Sequence, residues 1–232
     1  KICIKNRGVK DSTAFKLGLY LEPDARGKKS KIHEISFPAG LKKDVESCKT
    51  YSFKLPGVLS PGTRTLEAWV DNEEVIREAS EGNNKKTAEF LIAGPDLTVK
   101  TLELKPNTAK GGESVSVRVC VQNIGKLDLK DSFVVRIFDS PDDQITNSDT
   151  KLAEYTYSVS DLAKFKAKAK EDCRSVTVKV PAGLPEGRRY FGAFVEAAEK
   201  VAEEKEDNNT KAGVFVAPST TKPNLVPVSI RS

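Results

Sequence analysis

The stretch VCVQNIGKLDLKDSF, residues 119–133, decides the fold because the chain carries it twice; the other copy is ICIKNRGVKDSTAF at residues 2–15. In both, a cysteine between β-branched residues leads to an N-x-G step and then to an aromatic that opens a new run. Asn and Gly tolerate positive φ, so the step reads as a turn between two strands. A second pair closes each copy: REASEGNNKKTAEF (77–90) and EKEDNNTKAGVF (204–215). Cys48 lies as far ahead of Asn84 as Cys173 lies ahead of Asn209, so the two copies align residue for residue over this span.

Alternation fixes the element type between these landmarks. Phe15, Leu17, Leu19 and Leu21 share one parity, as do Phe133, Val135 and Ile137, which gives half-buried strands. Third strands are expected at Ile32–Phe37 and Leu152–Val159. Alternation returns at Tyr51, Phe53 and Leu55 and at Val176, Val178 and Val180. LEAWV (66–70) and FGAFV (191–195) follow, and TAEFLIA (87–93) and AGVFVA (212–217) end the copies. Trp69 and its counterpart Phe194 are read as core aromatics. The second copy holds extra residues between its cysteines, with a helical turn expected in DDQITNSDTK or near DLAKFKAKAK. Six short strands per copy, separated by Gly, Pro and Asn turns, make this an all-β protein of two tandem antiparallel β-sandwiches.

The second copy has a further strand in front, PDLTVKTLELKP (95–106). Leu97 and Val99 share one parity and Leu102 and Leu104 the other, as suits a first strand that kinks or passes between sheets. No such strand precedes Cys3. After the linker APSTTK the chain reads PNLVPVSIRS (223–232), where Pro223, Asn224 and Leu225 match Pro95, Asp96 and Leu97, and Ile230 falls on Leu102. The organisation is therefore 1–93, a sandwich without its first strand; 94–217, a complete sandwich; and 218–232, a linker plus the first strand of a further repeat or a strand given to another domain.

The 232 residues suffice for two cores. Net charge is +5, but Lys and Glu are interspersed, and KFKAKAK (164–170) runs straight into Glu171 and Asp172, so a nucleic-acid surface is not expected. No apolar run approaches the roughly 18 residues of a membrane span. The chain begins at Lys1 and has no Met, which reads as a processed or excised segment. Four cysteines allow three pairings. The repeat favours Cys3–Cys48 and Cys120–Cys173, one bridge per domain, with four buried free thiols as the alternative. None has C-x-x-C spacing, which argues against zinc and thiol-redox sites. Paired bridges imply an oxidising, extracellular setting.

The order of these motifs resembles CARDB, the cell-adhesion-related domain of bacteria and archaea. The matching residues are Asp96 and Leu97; Asn6 and Asn123; Gly8 and Gly125; Glu78, Glu81, Asn83 and Asn84; and Glu203, Glu206, Asn208 and Asn209. The resemblance covers nearly the whole chain, twice. It implies an immunoglobulin-like sandwich, repeated in tandem on surface or secreted bacterial or archaeal proteins, without fixing a ligand. The cysteine pairs are not part of the resemblance.

No catalytic constellation is present in the sequence: His33 is the single histidine, read as an exposed strand residue, and neither G-x-S-x-G nor H-E-x-x-H occurs. The chain is therefore not expected to be an enzyme. No cofactor is expected, although the acidic hairpins offer carboxylates of the kind Ca²⁺ prefers: Asp71, Glu78 and Glu81 in one copy, Glu203, Glu206 and Asp207 in the other. The competing reading is a long hairpin whose Asn side chains bond the turn backbone while Ile76 or Val201 tucks under the sheet. The expected role is structural or adhesive: a fibre subunit or tandem segment whose donor residues Leu225, Val226, Val228 and Ile230 complete the first domain of the next copy. Pro227 weakens that strand slightly, being tolerated only where its missing N–H faces away from the partner. The alternative is an accessory module binding carbohydrate, or a calcium-dependent adhesion module. Partners are accordingly the chain itself and, beyond it, surface proteins or glycans.

Overall fold

The computed structural model describes residues 1–22, 29–55, 57, 59–196, 198 and 200–219. It divides into two compact units, Lys1–Ile92 and Ala93–Ser232. The candidate donor residues Leu225, Val226, Val228 and Ile230 lie outside the described residues.

The first unit contains β1 (Ile2–Lys5), β2 (Phe15–Leu21), β3 (Ser30–Phe37), β4 (Glu46–Lys49), β5 (Gly62–Val70) and β6 (Lys85–Ile92). The second contains β7 (Leu97–Lys105), β8 (Ser114–Asn123), β9 (Phe133–Ser140), β10 (Thr150–Tyr157), β11 (Asp172–Lys179), β12 (Gly187–Val195) and β13 (Thr210–Ala217). Its sheets run β10-β9-β12-β13 and β11-β8-β7, all antiparallel, face to face. The first unit repeats this as β3-β2-β5-β6 over β1-β4. Both are immunoglobulin-like sandwiches, and among the described residues β7 has no counterpart in the first.

Alternation produces the cores. Leu17 and Leu19 of β2, like Val135 and Ile137 of β9, are fully buried between the sheets. Each disulfide staples directly opposed residues of the smaller sheet: Cys3 faces Cys48 and Cys120 faces Cys173, with Cα atoms 4.0 Å apart in both. The parity switch in β7 is a bulge: the register slips between Val99 and Thr101, so Lys100 has no ladder partner on β8 and Leu102 and Leu104 return to the core side. The chain then leaves β8, and Thr108 bridges Val216 of β13, so the first strand does pass from one sheet to the other. The extra residues of the second unit form a loop whose Ile145 packs on Gly192, and a 3-10 turn, Val159–Lys164, with a Ser158–Asp161 capping box.

Three expectations are corrected. Residues 51–55 are not a strand. The β1–β4 ladder ends with Lys49 opposite Ile2, short of Tyr51, Phe53 and Leu55. In the second unit β8 supplies Ser114–Val119 and β11 runs on to Lys179. Trp69 and Phe194 are not core residues. In LEAWV the inward residues are Leu66, Ala68 and Val70, and in FGAFV they are Phe191, Ala193 and Val195. Trp69 therefore lies on the outer face, its ring 5.9 Å from that of Tyr20 and capped by the Lys85 ammonium at 3.7 Å. His33 is half-buried rather than exposed, stacked on Phe53 at 5.6 Å.

Candidate functional site

In the second unit the repeated motifs hold the start of β7. Asn123, wholly buried, donates through Nδ2 to the carbonyls of Leu127 (2.9 Å) and Phe165 (2.9 Å). Its Oδ1 accepts the amides of Gly125 (3.0 Å) and Asp96 (3.0 Å). Gly125 is glycine because the incoming strand passes directly over it. A Cβ there would lie 2.5 Å from the Gly94 carbonyl oxygen and 2.6 Å from the Asp96 nitrogen. The β12–β13 hairpin grips the same strand from the other side. Glu203 accepts the Leu97 amide (2.9 Å) and the Asn209 side-chain amide (2.5 Å), and Asn208 donates to the Asp96 carboxylate (2.8 Å). Glu204 accepts the amides of Gly94 and Lys126. Burial pushes Glu203 up to about 8. Burial also raises Asp96, against the lowering effect of Asn208.

The first unit has the same parts without the strand. Asn6 donates to the carbonyls of Lys10 (2.8 Å) and Leu41 (3.0 Å), and its Oδ1 accepts the Gly8 amide (2.9 Å), reproducing three of the four bonds of Asn123. The fourth, to an incoming backbone amide, has no counterpart among the described residues. A Cβ on Gly8 would meet Asn6 Oδ1 at 3.1 Å and otherwise nothing nearer than 4.0 Å, where Gly125 is covered by Gly94–Asp96. Glu78 matches Glu203 and, among the described residues, accepts only the Asn84 side-chain amide, at 3.2 Å. It is raised by burial first and then by Glu81. Asn83, matching Asn208, is exposed.

Beyond these groups an apolar groove of about 350 Å³ runs past Phe53, Leu55, Leu66, Ala88 and Phe90. The matching place in the second unit is filled: a Cβ on Gly213, the counterpart of Ala88, would lie 2.9 Å from Leu102 and 3.5 Å from Leu104 of β7. The first unit thus has counterparts of the polar groups that hold the start of β7, and an apolar groove at the place where Leu102 and Leu104 of β7 lie in the second.

The proposed calcium ligands have other engagements. Asp71, at a left-handed φ of 50°, accepts the amides of Val75 (3.1 Å) and Ile76 (2.8 Å). Glu81 accepts the Glu78 amide and the Asn84 side chain, and Glu206 accepts the Glu203 amide. Asp207 is exposed. The Asn side chains bond carboxylates more than turn backbone, while Val201 is buried and Ile76 packs on the core. Among the described residues, the one grouping of three ligand-type atoms is Cys3, Glu46 and Cys48, whose two sulfurs form the disulfide. In sequence Asn6, Gly8, Asn123 and Gly125 stood out as turn formers and as positions of the family resemblance. The signal of a second role is that neither glycine has a positive φ, so no turn geometry demands glycine there.

A protein-family model, CARDB, matches residues 1–88 and 94–213. Among solved structures, the CARDB domain of the PF1109 protein from Pyrococcus furiosus, crystallised in complex with di-metal ions, is 22% identical. The match covers 55% of this chain and 96% of that one, with a TM-score of 0.41. A solution structure of the same domain is 19% identical, covering 55% and 98%, with a TM-score of 0.39. A β-glucosidase from Listeria innocua in complex with glucose is 13% identical over 57% of this chain and 17% of the enzyme, with a TM-score of 0.31. No curated protein matches the chain. With both repeats matched by one family model, and the repeated N-x-G and E-x-x-E-x-N-N motifs shared between two sandwiches, the chain belongs to the CARDB family.

Proposed function

We propose that the chain is a non-catalytic, extracellular building block of a surface fibre. In this reading residues 223–232 of one copy fill the groove in the first unit of the next. The family is one of surface- and adhesion-related modules, and two disulfides suit an oxidising exterior. The observation that carries the reading is the apolar groove in the first unit, at the place β7 fills in the second. The tail is the one other segment of the chain that repeats the Pro-x-Leu start of β7. Addition of a strand to an open edge supplies backbone hydrogen bonds along its length and buries alternate side chains. The contact is head-to-tail, so it propagates into a filament unless the geometry closes it. Light scattering on the full chain and on a chain ending at Ser219 tests this. Assembly of the first and a single-chain mass for the second are expected; a single-chain mass for both rejects the reading.

One observation favours a second reading, a glycan-binding accessory module: Trp69 lies on the outer sheet face beside Tyr20, with Asn72 donating to the Tyr20 hydroxyl at 3.1 Å. A glycan array on which binding disappears with Trp69→Ala would put this reading ahead.

A further inference from the structure

The outer face of the β3-β2-β5-β6 sheet carries an aromatic platform beside a polar cleft. We infer that Tyr20, Trp69 and this cleft bind a neutral glycan, with one pyranose ring stacked on Tyr20 and its neighbour held in the cleft. The inference deepens the glycan reading above and rests on it; it is independent of strand addition.

Pairing of β2 with β5 sets Gly18 opposite Trp69 and Tyr20 opposite Glu67. The Tyr20 ring folds back over Gly18: a Cβ there would lie 2.5 Å from its Cε2 and 2.9 Å from its hydroxyl oxygen. Gly18 has no positive φ, so room for the ring, and not backbone conformation, is what requires glycine in this strand. A ring laid down over the sheet turns its other face outward. Trp69 stands beside it as a wall, the two half-buried rings meeting at 44° with centroids 5.9 Å apart. Asn72 donates to the Tyr20 hydroxyl at 3.1 Å, which holds the ring in place and leaves the hydroxyl its own proton to donate. In the second unit Arg136 lies opposite Phe194 and Phe138 is buried, so the platform is a feature of the first unit.

The cleft lies along the same strands. It holds about 180 Å³ and is lined, among the described residues, by Leu21, Glu22, Lys29, Thr65, Glu67 and Thr87. Its charges neutralise each other: Glu67 pairs with Lys29 at 2.6 Å and Glu22 with Arg64 at 2.9 Å. Threonine hydroxyls and paired carboxylates donate and accept without net charge, which suits the hydroxyls of a neutral sugar better than an anion or a cation. The flat face of Tyr20 takes the bare C–H face of a pyranose, and a ring with every hydroxyl equatorial, the gluco configuration, offers such a face on either side. The exposed Lys85, whose ammonium caps Trp69 at 3.7 Å, moves aside at little cost and donates to a sugar hydroxyl.

The test places the full chain, Tyr20→Ala and Gly18→Ala on a glycan array and then titrates each with cellotetraose and with tetraglucuronate, its uronate counterpart. Trp69, the single tryptophan, reports on the site by fluorescence. Neutral gluco-configured glycans are expected to bind the full chain, with a change in Trp69 emission, little dependence on salt and weaker binding of tetraglucuronate. Tyr20→Ala is expected to weaken cellotetraose about tenfold or more. Gly18→Ala, which keeps both rings but lifts Tyr20 off the sheet, is expected to weaken it similarly while the circular dichroism spectrum is unchanged. Glycan binding that keeps its strength in both variants overturns this site and leaves the glycan reading standing. No binding of cellotetraose, or tighter binding of tetraglucuronate, overturns the class of sugar assigned. An array without a hit overturns the site and the glycan reading together.

Discussion

Glu203 makes the stability of the second unit depend on pH in a direction opposite to ordinary acid denaturation. The side chain is 2% exposed, and burial pushes its carboxyl from an ordinary 4.5 up to about 8. The folded unit therefore keeps a proton that the unfolded chain releases. The contribution of this group is complete below about pH 4.5 and is lost as pH rises through about 8. At 1.36 kcal/mol per pKa unit, the loss is on the order of 5 kcal/mol when the group is fully ionised. Glu203→Gln removes the titration. The Gln carbonyl still accepts from Leu97. With the Asn209 amide turned over, Gln Nε2 donates to Asn209 Oδ1, which is buried without a partner in the present arrangement. The assay is urea unfolding by circular dichroism between about pH 5 and 8.5. Trp69 is the single tryptophan and follows the first unit separately by fluorescence. The wild-type second unit should weaken across this window, and the Gln variant should stay level and exceed it at the alkaline end. A wild-type unit of constant stability, or a Gln variant with the same slope, refutes the argument.

Other perturbations follow from the same contacts. Gly125→Ala should destabilise the second unit by about 3 kcal/mol, because the new Cβ meets backbone atoms of Gly94–Asp96; Gly8→Ala should cost the first unit less than about 1 kcal/mol, and equal costs in urea melts would show that the two sites are alike. Asp139, 3% exposed, is held by the Arg189 guanidinium through two bonds of 2.8 and 2.7 Å. Asp139→Ala, which strands that cation, should cost about 3–5 kcal/mol by the same measurement. Millimolar CaCl₂ should leave both thermal transitions where they are, because Asp71, Glu81, Glu203 and Glu206 already accept backbone amides; a rise in either transition would point to a cation site at that hairpin.

The local code of this fold is legible in the sequence where one element decides it. Matching cysteine positions in the two copies, with Cys48 as far ahead of Asn84 as Cys173 is ahead of Asn209, anticipate both disulfides, and the alternation of Phe15–Leu21 and Phe133–Ile137 gives the buried faces directly. Alternation names a face but not a ladder partner, which is why Tyr51–Leu55 reads as a strand and is not one. In LEAWV, aromatic size suggested the core, whereas parity with Leu66, Ala68 and Val70 puts Trp69 outside. The bonds that hold the start of β7 were not legible, because they join distant positions: Asn123 to Asp96 across 27 residues and Glu203 to Leu97 across 106. An Asn that closes a turn and an Asn that also accepts a passing strand look the same until that strand is in place.

The central claim is that one copy gives a strand and the next receives it, and a mixing experiment tests this directly. On the proposed reading the Gly8→Ala chain keeps its tail but should not receive a strand, because a Cβ at the matching Gly125 would meet the incoming backbone; the chain ending at Ser219 should receive but has nothing to give. Each alone should scatter as a single chain. Mixed in equal amounts they should form a pair of about twice the 25.3 kDa chain mass and nothing larger. A mixture that remains at the single-chain mass, or a Gly8→Ala chain that assembles by itself, contradicts the account.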